Sequence, residues 1–516
     1  MPRLSFKPDA SFFRKIVVGA VGARVVVLDL RERGHRFVEL ERGSTETKLW
    51  KEVKRKRVRI PDLVCLRCGA RLECRAKTDL ELSMSHSPTD AERAWDFGMV
   101  DTDWIAFPVC DVVNEADWSA GAFDGSISYW RQKSWIRWQA TGTINYFTVA
   151  EFRSALHARS RTKGVEEGSE NVIAWDATFS TRTGVVEKIT GVEGGDHKIT
   201  IRRDSDNHRY TWTIGKNKRV VVADGQQVGN HQVLGSTVSP LQPSALSCAG
   251  HPSEHHIATL LQSRERTQRY TGVKLARLRN EADHRDEIQE LAKDGEEDVY
   301  IRLEAVSYLN AICGESARPL FTPYLSSADE QTQLEAVIAL GESASNETIE
   351  ILCEILADNG RPYFLRSAAA WALRRTGSLK ASNQLVLAFT DESVSLRHEA
   401  LDALAAIGEP AVPVLLAGLR NQKVAIAAGC AEALRRSATS AQLLNTLVAE
   451  LQSESPATWA VWLAGNLPRE HFATAIAQLQ HARPELHYAL SVLWSFLDSW
   501  IAPRWELLPA PHFPTH

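Results

Sequence analysis

No stretch of this 516-residue chain approaches the roughly 20 consecutive apolar residues that a membrane-spanning helix requires. The nearest approach to an export signal is the apolar stretch 16–23. It is short, it is hemmed in by Arg14, Lys15 and Arg24, and no A-x-A cleavage pattern follows it, so a cytoplasmic protein without a membrane partner is expected. Cysteine is scarce as well. Of eight cysteines only Cys65 and Cys68 are close neighbours, and Cys313, Cys353 and Cys430 fall in helical repeats, which suits reduced thiols better than a disulfide framework. A dinucleotide loop is not expected: Gly19 and Gly22 do not give the G-x-G-x-x-G spacing, and no strand clearly precedes them. No charge of one sign dominates, the net charge being −4. The balance is uneven, however, because residues 1–60 hold 16 Lys and Arg against 7 Asp and Glu. A basic end on a mildly acidic chain points to a polyanionic partner there.

What is present begins with length. A chain this long exceeds one hydrophobic core and predicts two to four domains. Its second half is periodic: Arg302-Leu-Glu-Ala, Gln333-Leu-Glu-Ala, Arg366-Ser-Ala-Ala, Arg397-His-Glu-Ala and Ala428-Gly-Cys-Ala open successive helices, spaced by 31, 33, 31 and 31 residues. Each of these helices runs toward a small residue or glycine, such as Gly314, Gly341, Gly377 or Gly408, and a second helix follows. A helix pair cannot bury its apolar face alone, so such units must stack on one another. The pattern resembles short HEAT repeats and predicts an α-solenoid over 265–516. Its end, rich in tryptophan (Trp459, Trp462, Trp494 and Trp500), is expected to cap the last repeat.

Between 176 and 240 the character changes to short β-rich runs (185–189, 198–203, 210–214 and 219–222) separated by Gly, Asp and Asn turns. The stretch 222–234 resembles a turn of barrel-sandwich hybrid domains. Carrier members of that fold bear a modified lysine at a hairpin tip. No lysine here sits in a matching motif, so a small docking β-barrel is expected. Residues 241–264 read as a linker, and 116–175 as a connecting segment.

The first 115 residues predict the order α-β-β-β-α-β. A helix over 11–33 ends at Gly34 and is followed by a strand at 36–40, a hairpin of 58–66 with 70–80, a helix at 88–97 and a buried strand at 104–109. The hairpin contains Pro61-Asp62, then Glu73, Arg75 and Lys77. On a strand, residues two apart share a face, so Glu73, Arg75 and Lys77 point together, and an antiparallel partner can set Asp62 opposite them. These residues resemble the PD-(D/E)xK nuclease signature, and the αβββαβ order matches that family's core. The resemblance implies that Asp62 and Glu73 bind Mg²⁺ or Mn²⁺, which polarises a scissile phosphate and activates water. A nearby cation, Lys77 or Arg75, would stabilise the phosphoryl charge. The chain departs from the strict motif in placing Arg75 where lysine is usual, with Lys77 two residues further on.

Just before Asp62 lies the basic run Lys51, Lys54, Arg55, Lys56, Arg57 and Arg59. It suits phosphate contacts, and equally a strand edge blunted by charge. Trp130, Arg131, Lys133, Trp135, Arg137 and Trp138 form a second aromatic and basic stretch that can stack bases, although half-buried core tryptophans are the commoner use of such residues. Cys65-x-x-Cys68-Gly69 resembles half a zinc knuckle. A closed Zn²⁺ site needs four ligands, and Cys74, Cys110, His35 and His86 are candidates to complete it; a simple tight turn is the alternative.

Together these features predict a multidomain α/β plus β plus α chain. A nuclease-like domain over 1–115 would act as a metal-dependent endonuclease on nucleic acid, DNA above all, in a setting such as antiviral defence or restriction. The solenoid would recognise a protein partner or a duplex. The alternative is a non-catalytic adaptor that keeps a degenerate nuclease fold for binding.

Overall fold

The computed structural model describes residues 10–40, 60–87, 89–113, 137–156, 159–165, 168–191, 194–250, 256–343, 345–437 and 440–499. The first helix, α1, spans Ala10–Glu32. The buried line on this helix is Val18, Gly22, Val26 and Leu30, while Val17 and Leu28 are exposed. Of the apolar positions whose spacing predicts one helical face, Val17, Val18, Val21, Val25 and Leu28, Val18 lies on that line and the others do not, so the buried face is displaced round the helix. Gly22 explains the shift, since a Cβ there would lie 2.5 Å from that of Ala76. The helix meets the sheet where it has no side chain. Gly34 ends it at φ +88°, with the Gly34 amide donating to the Arg31 carbonyl and the His35 amide to that of Leu30. This paired closure is a Schellman cap, and it delivers His35 to the edge of the sheet.

That sheet is built from β1 (Phe37–Glu39), β2 (Leu63–Cys65), β3 (Arg71–Cys74), β5 (Trp104–Val113) and β6 (Arg137–Thr148), in the order β1-β2-β3-β5-β6. Strands β1, β2 and β3 form an antiparallel meander, β5 runs parallel to β3, and β6 returns antiparallel. Alternation divides its faces. Leu63, Leu72, Trp104, Ala106 and Tyr146 pack toward α1 with Val26 and Leu30. Ile105, Phe107 and Phe147 pack on the other face with Leu82 and Met84 of β4 (Leu82–Ser85) and with Ile173 and Trp175 of β8 (Gly168–Trp175). β8 pairs with β4 on one side and with β7 (Arg159–Val165) on the other.

Two expectations change here. The predicted helix at 88–97 is a single 3₁₀ turn, Ala91–Arg93, opened by the Asp90 side chain; the aromatic side chain of Trp95 is used in the core instead. The segment 116–175, read as a connector, contains β6, the helix Val149–Ser154, β7 and β8. Their long-range pairing outweighs a sequence that carries weak turn signals.

Next come two small sheets around one core. One joins β10 (Gly184–Gly191), β11 (His197–Arg203), β12 (Arg209–Ile214) and β14 (Gln227–Val228). The other joins β13 (Arg219–Val220), β15 (Val233–Ser236) and β9 (Ala177–Phe179). Val186, Ile199, Ile201, Ile214 and Leu234 are buried between them. Asn145 of β6 ties this β-module to the large sheet by donating to the His231 carbonyl and accepting from the Val233 amide. The expected linker is partly structured: the Leu241 amide donates to the Tyr146 carbonyl, and Leu246 is buried in the core under α1.

The same compact unit extends to Cys313 and takes in the helices Arg266–Arg279, Arg285–Lys293 and Val299–Ala311. Arg71, 1% exposed, joins β3 to the first of them. Its guanidinium pairs with both oxygens of Asp103, at 2.8 and 2.5 Å, and donates to the hydroxyls of Thr267 and Thr271. A charge this deep is tolerated only because it is paired and hydrogen-bonded.

The second unit runs from Gly314 through helices from Ala317–Leu325 to Pro484–Ser499. The repeated polar column has a structural role. Gln333 donates to the Ser327 carbonyl, Arg366 to that of Leu356 and Arg397 to that of Asp391, each fastening a helix to the segment before it. Asp329, Ser345, Ser393 and Ser440 cap helix N-termini through their side chains. Gly341 marks a close crossing, since a Cβ there would lie 2.6 Å from that of Ala372. At the far end Trp494 is buried and donates to the carbonyls of Ala464 and Leu467, a closing role for one of the tryptophans expected to cap the repeats. Among the described residues, no single helix is long and apolar enough to cross a membrane.

Candidate functional site

The β2–β3 hairpin carries two clusters, one at its base and one at its tip. At the base, the register Leu63↔Leu72, extended by one residue, sets Asp62 opposite Glu73. Both then lie on the sheet face away from α1, because Leu63 and Leu72 are on the α1 side. The Cys74 amide donates to Asp62 Oδ2 at 2.9 Å. Burial, and then the charges of Asp62 and Glu73, push the Cys74 thiol well above its ordinary range. Glu73 is 8% exposed, and its Oε1 lies 3.0 Å from the Arg75 guanidinium. Glu39, on the preceding strand, pairs with Leu63 across β1 and β2 and so belongs to the opposite face.

Arg75 and Lys77 extend the line of β3 alongside β5. The Arg75 amide donates to the Ala106 carbonyl and the Lys77 amide to that of Pro108. The Lys77 ammonium donates to Ser83 Oγ at 2.8 Å and lies 6.0 Å from the centre of the Phe107 ring. Ser83 in turn donates to Glu81. Lys77 is thus held toward β4, whereas Arg75 takes the place beside Glu73. The basic run Lys51, Lys54, Arg55, Lys56, Arg57 and Arg59 lies outside the described residues, as do Trp130, Arg131, Lys133 and Trp135; Arg137 and Trp138 open β6.

At the tip, Cys65 and Cys68 flank a turn closed by the Gly69 amide donating to the Cys65 carbonyl, with Gly69 at φ +79°. His35 and Cys248 join them, and the four ligand atoms all lie within 4.8 Å of one another. His35 Nδ1 is 3.4 Å from Cys65 Sγ and 3.5 Å from Cys68 Sγ, while Nε2 faces the Leu246 carbonyl at 3.1 Å. Cys65 and Cys248 sulfurs are 4.0 Å apart, and the Arg36 amide donates to Cys65 Sγ. The Cys68 hydrogen bond holds the Cys65 thiol well below its ordinary range, with His35 and the Arg36 amide helping against burial, which acts the other way. The same bond, with burial, pushes the Cys68 thiol up.

Of the residues considered to complete a zinc site, the fold brings His35. It uses the others elsewhere: Cys74 lies beside the acidic pair, Cys110 faces the Val18 carbonyl, and His86 accepts from the Trp95 amide. Cys248 was not anticipated. It stands 183 residues from Cys65 in a segment whose Ser, Pro and Gly content reads as a linker, and no local spacing could single it out. Arg71 and Asp103 carry no sequence signal either, being isolated charges whose pairing exists only in the fold.

Comparison with known proteins places HEAT repeats over residues 288–374 and 319–395, and a PBS lyase HEAT-like repeat over 396–421. This part of the chain is a HEAT-repeat array. Among solved structures, the chain is similar to human deoxyhypusine hydroxylase in complex with glycerol, with 22% identity over 44% of this chain and 83% of that one, at a TM-score of 0.18. It is also similar to the CpcE–CpcF complex of phycocyanin lyase from Nostoc sp. PCC7120, with 18% identity over 47% and 92% of the two chains, at a TM-score of 0.17. A designed armadillo repeat protein bound to a (KR)4 peptide matches at 18% identity over 48% and 100%, with a TM-score of 0.19. No curated protein sequence matches the chain.

Proposed function

We propose that the N-terminal sheet is a PD-(D/E)xK-like, divalent-metal-dependent nuclease centre acting on nucleic acid, with DNA as the first substrate to test. The observation that carries this reading is the cross-strand placement of Asp62 opposite Glu73, on a three-stranded meander followed by a parallel strand. Two carboxylates on neighbouring strands can share one Mg²⁺ or Mn²⁺, a hard cation that takes oxygen ligands. When bound, that ion would polarise a phosphodiester and lower the pKa of an attacking water. Arg75, already beside Glu73, supplies the positive charge for the developing phosphorane, a role that suits the paired donors of arginine. The HEAT array supplies an extended surface for a protein partner or duplex.

The Glu73–Arg75 ion pair also favours a second reading, in which the guanidinium takes the place of the metal and the fold binds nucleic acid without cutting it. Purified full-length protein, incubated with plasmid DNA, linear DNA and RNA in Mg²⁺ or Mn²⁺, distinguishes the two. Cleavage is expected. Glu73→Gln, which removes a metal-binding charge at nearly constant volume, should abolish it while leaving binding in a gel-shift assay intact. Wild-type protein that binds these substrates but cuts none of them would establish the binding reading, and cleavage undiminished in Glu73→Gln would move the active site elsewhere.

A further inference from the structure

We infer that His35, Cys65, Cys68 and Cys248 hold a structural zinc ion, which clamps the hairpin tip to the end of α1 and to the segment that follows the β-module. This inference does not depend on the nuclease reading.

The argument begins with size. Zinc bonds of about 2.3 Å to sulfur and about 2.0 Å to nitrogen, directed tetrahedrally, put neighbouring ligand atoms between about 3.5 and 3.8 Å apart. The observed separations of 3.4, 3.5 and 4.0 Å lie close to that range, and all four atoms fall within 4.8 Å of one another. A disulfide needs sulfurs about 2.0 Å apart, so the 4.0 Å between Cys65 and Cys248 is far too long for one.

The surroundings are those of a prepared ligand set. His35 is 3% exposed, and its Nε2 stands 3.1 Å from the Leu246 carbonyl, an acceptor that keeps the proton on Nε2. Nδ1 is thereby left with a lone pair facing the sulfurs, the outer-shell arrangement that orients metal-binding histidines. The Arg36 amide donates to Cys65 Sγ, as suits a thiolate ligand. Three thiolates and a neutral imidazole leave the zinc centre with a single net negative charge, and Arg33 and Arg67 line the shallow pocket beside Cys68 and Cys248. Four protein ligands fill a tetrahedral ion, so the site is closed and structural.

Its consequence is positional. Cys248 is tied on its own side by its amide, which donates to the Arg33 carbonyl. The ion would complete a junction among three segments far apart in the chain.

Full-length protein purified without chelator, and the same protein refolded with zinc, should carry one zinc per chain by elemental mass spectrometry. Cys68→Ser and Cys248→Ser should lose it, whereas Cys110→Ser and Cys313→Ser should keep it. Cobalt exchanged into the wild type should show the visible bands of a tetrahedral thiolate site. If the serine variants fail to fold, alkylation of the wild type still decides: Cys65, Cys68 and Cys248 should resist labelling until a zinc chelator is added, while Cys313 reacts alike in both conditions. Wild-type protein with no zinc from either preparation, a disulfide among the three cysteines in peptide maps, or labelling rates indifferent to chelator would each overturn the assignment.

Discussion

In the repeats, residues meet partners about one repeat away along the chain. Ser316 and Arg318 donate to Glu347 and Glu354, at separations of 31 and 36 residues, and Lys380 reaches Glu350 across 30. In the N-terminal unit the decisive contacts are far longer. Arg71 meets Thr271 across 200 residues, and Cys65 meets Cys248 across 183. The two regions therefore lose chain entropy differently. A repeat closes short loops again and again, each stabilised by its neighbour, whereas the sheet must close very long loops before its buried charges find partners. The difference predicts where a single substitution does most damage.

The largest effect should come from Arg71→Ala. Removing one member of a buried pair leaves Asp103, 1% exposed, as an uncompensated charge, at a cost of about 3–5 kcal/mol. Chemical denaturation followed by circular dichroism should show an early loss of strand signal with the later helical transition preserved. A single transition shifted as a whole would mean that the two units unfold together and would break the comparison.

A smaller effect is expected in the repeats. Gly341→Val puts a branched side chain where even a Cβ would stand 2.6 Å from that of Ala372. Overpacking of this kind costs about 1–3 kcal/mol. The helical transition should move to lower denaturant while the strand signal holds. If Gly341→Val is neutral, the crossing of these helices is adaptable and the repeats are less tightly specified than their spacing suggests.

The same contrast governs what could be read from sequence. The HEAT-like period was legible because one column recurs with the same physical purpose in three successive repeats, with Gln333, Arg366 and Arg397 each fastening a helix to the segment before it. The order of α1 and the first strands was legible for a similar reason, since Gly34 and the hairpin residues act locally. The buried face of α1 was legible at Val18 alone, because Gly22, an apparent gap in the apolar pattern, is its contact point with Ala76. Half of the thiol cluster showed in the Cys65-x-x-Cys68 spacing, and His35 was among the candidates. Cys248 was invisible because three-dimensional closure alone brings it there. β6, β7 and β8 were passed over because pairing with distant strands, rather than local pattern, makes them strands.

The smallest predicted effect tests whether a repeat-to-repeat contact behaves as the local, additive unit that this picture requires. Glu347 lies in the first turn of the helix Asn346–Ala357 and also receives hydrogen bonds from Ser316 Oγ and from the amides of Ala317 and Arg318, which open the helix Ala317–Leu325. One carboxylate thus serves the positive ends of two helices. The Ser316 hydroxyl first, and then those amides, hold its pKa below the ordinary carboxylate value. A depressed folded-state pKa stabilises the native protein above the unfolded value, and the gain is lost as pH falls through the folded one. Glu347→Gln should therefore lower the helical melting temperature slightly at neutral pH. The gap from wild type should narrow as the solution is acidified below the usual carboxylate range, because protonation removes from the wild type the charge that the variant never had. Melting curves across that acid range provide the check. A gap that stays constant with pH would assign the loss to side-chain packing, and one that widens on acidification would reverse the sign of the proposed coupling.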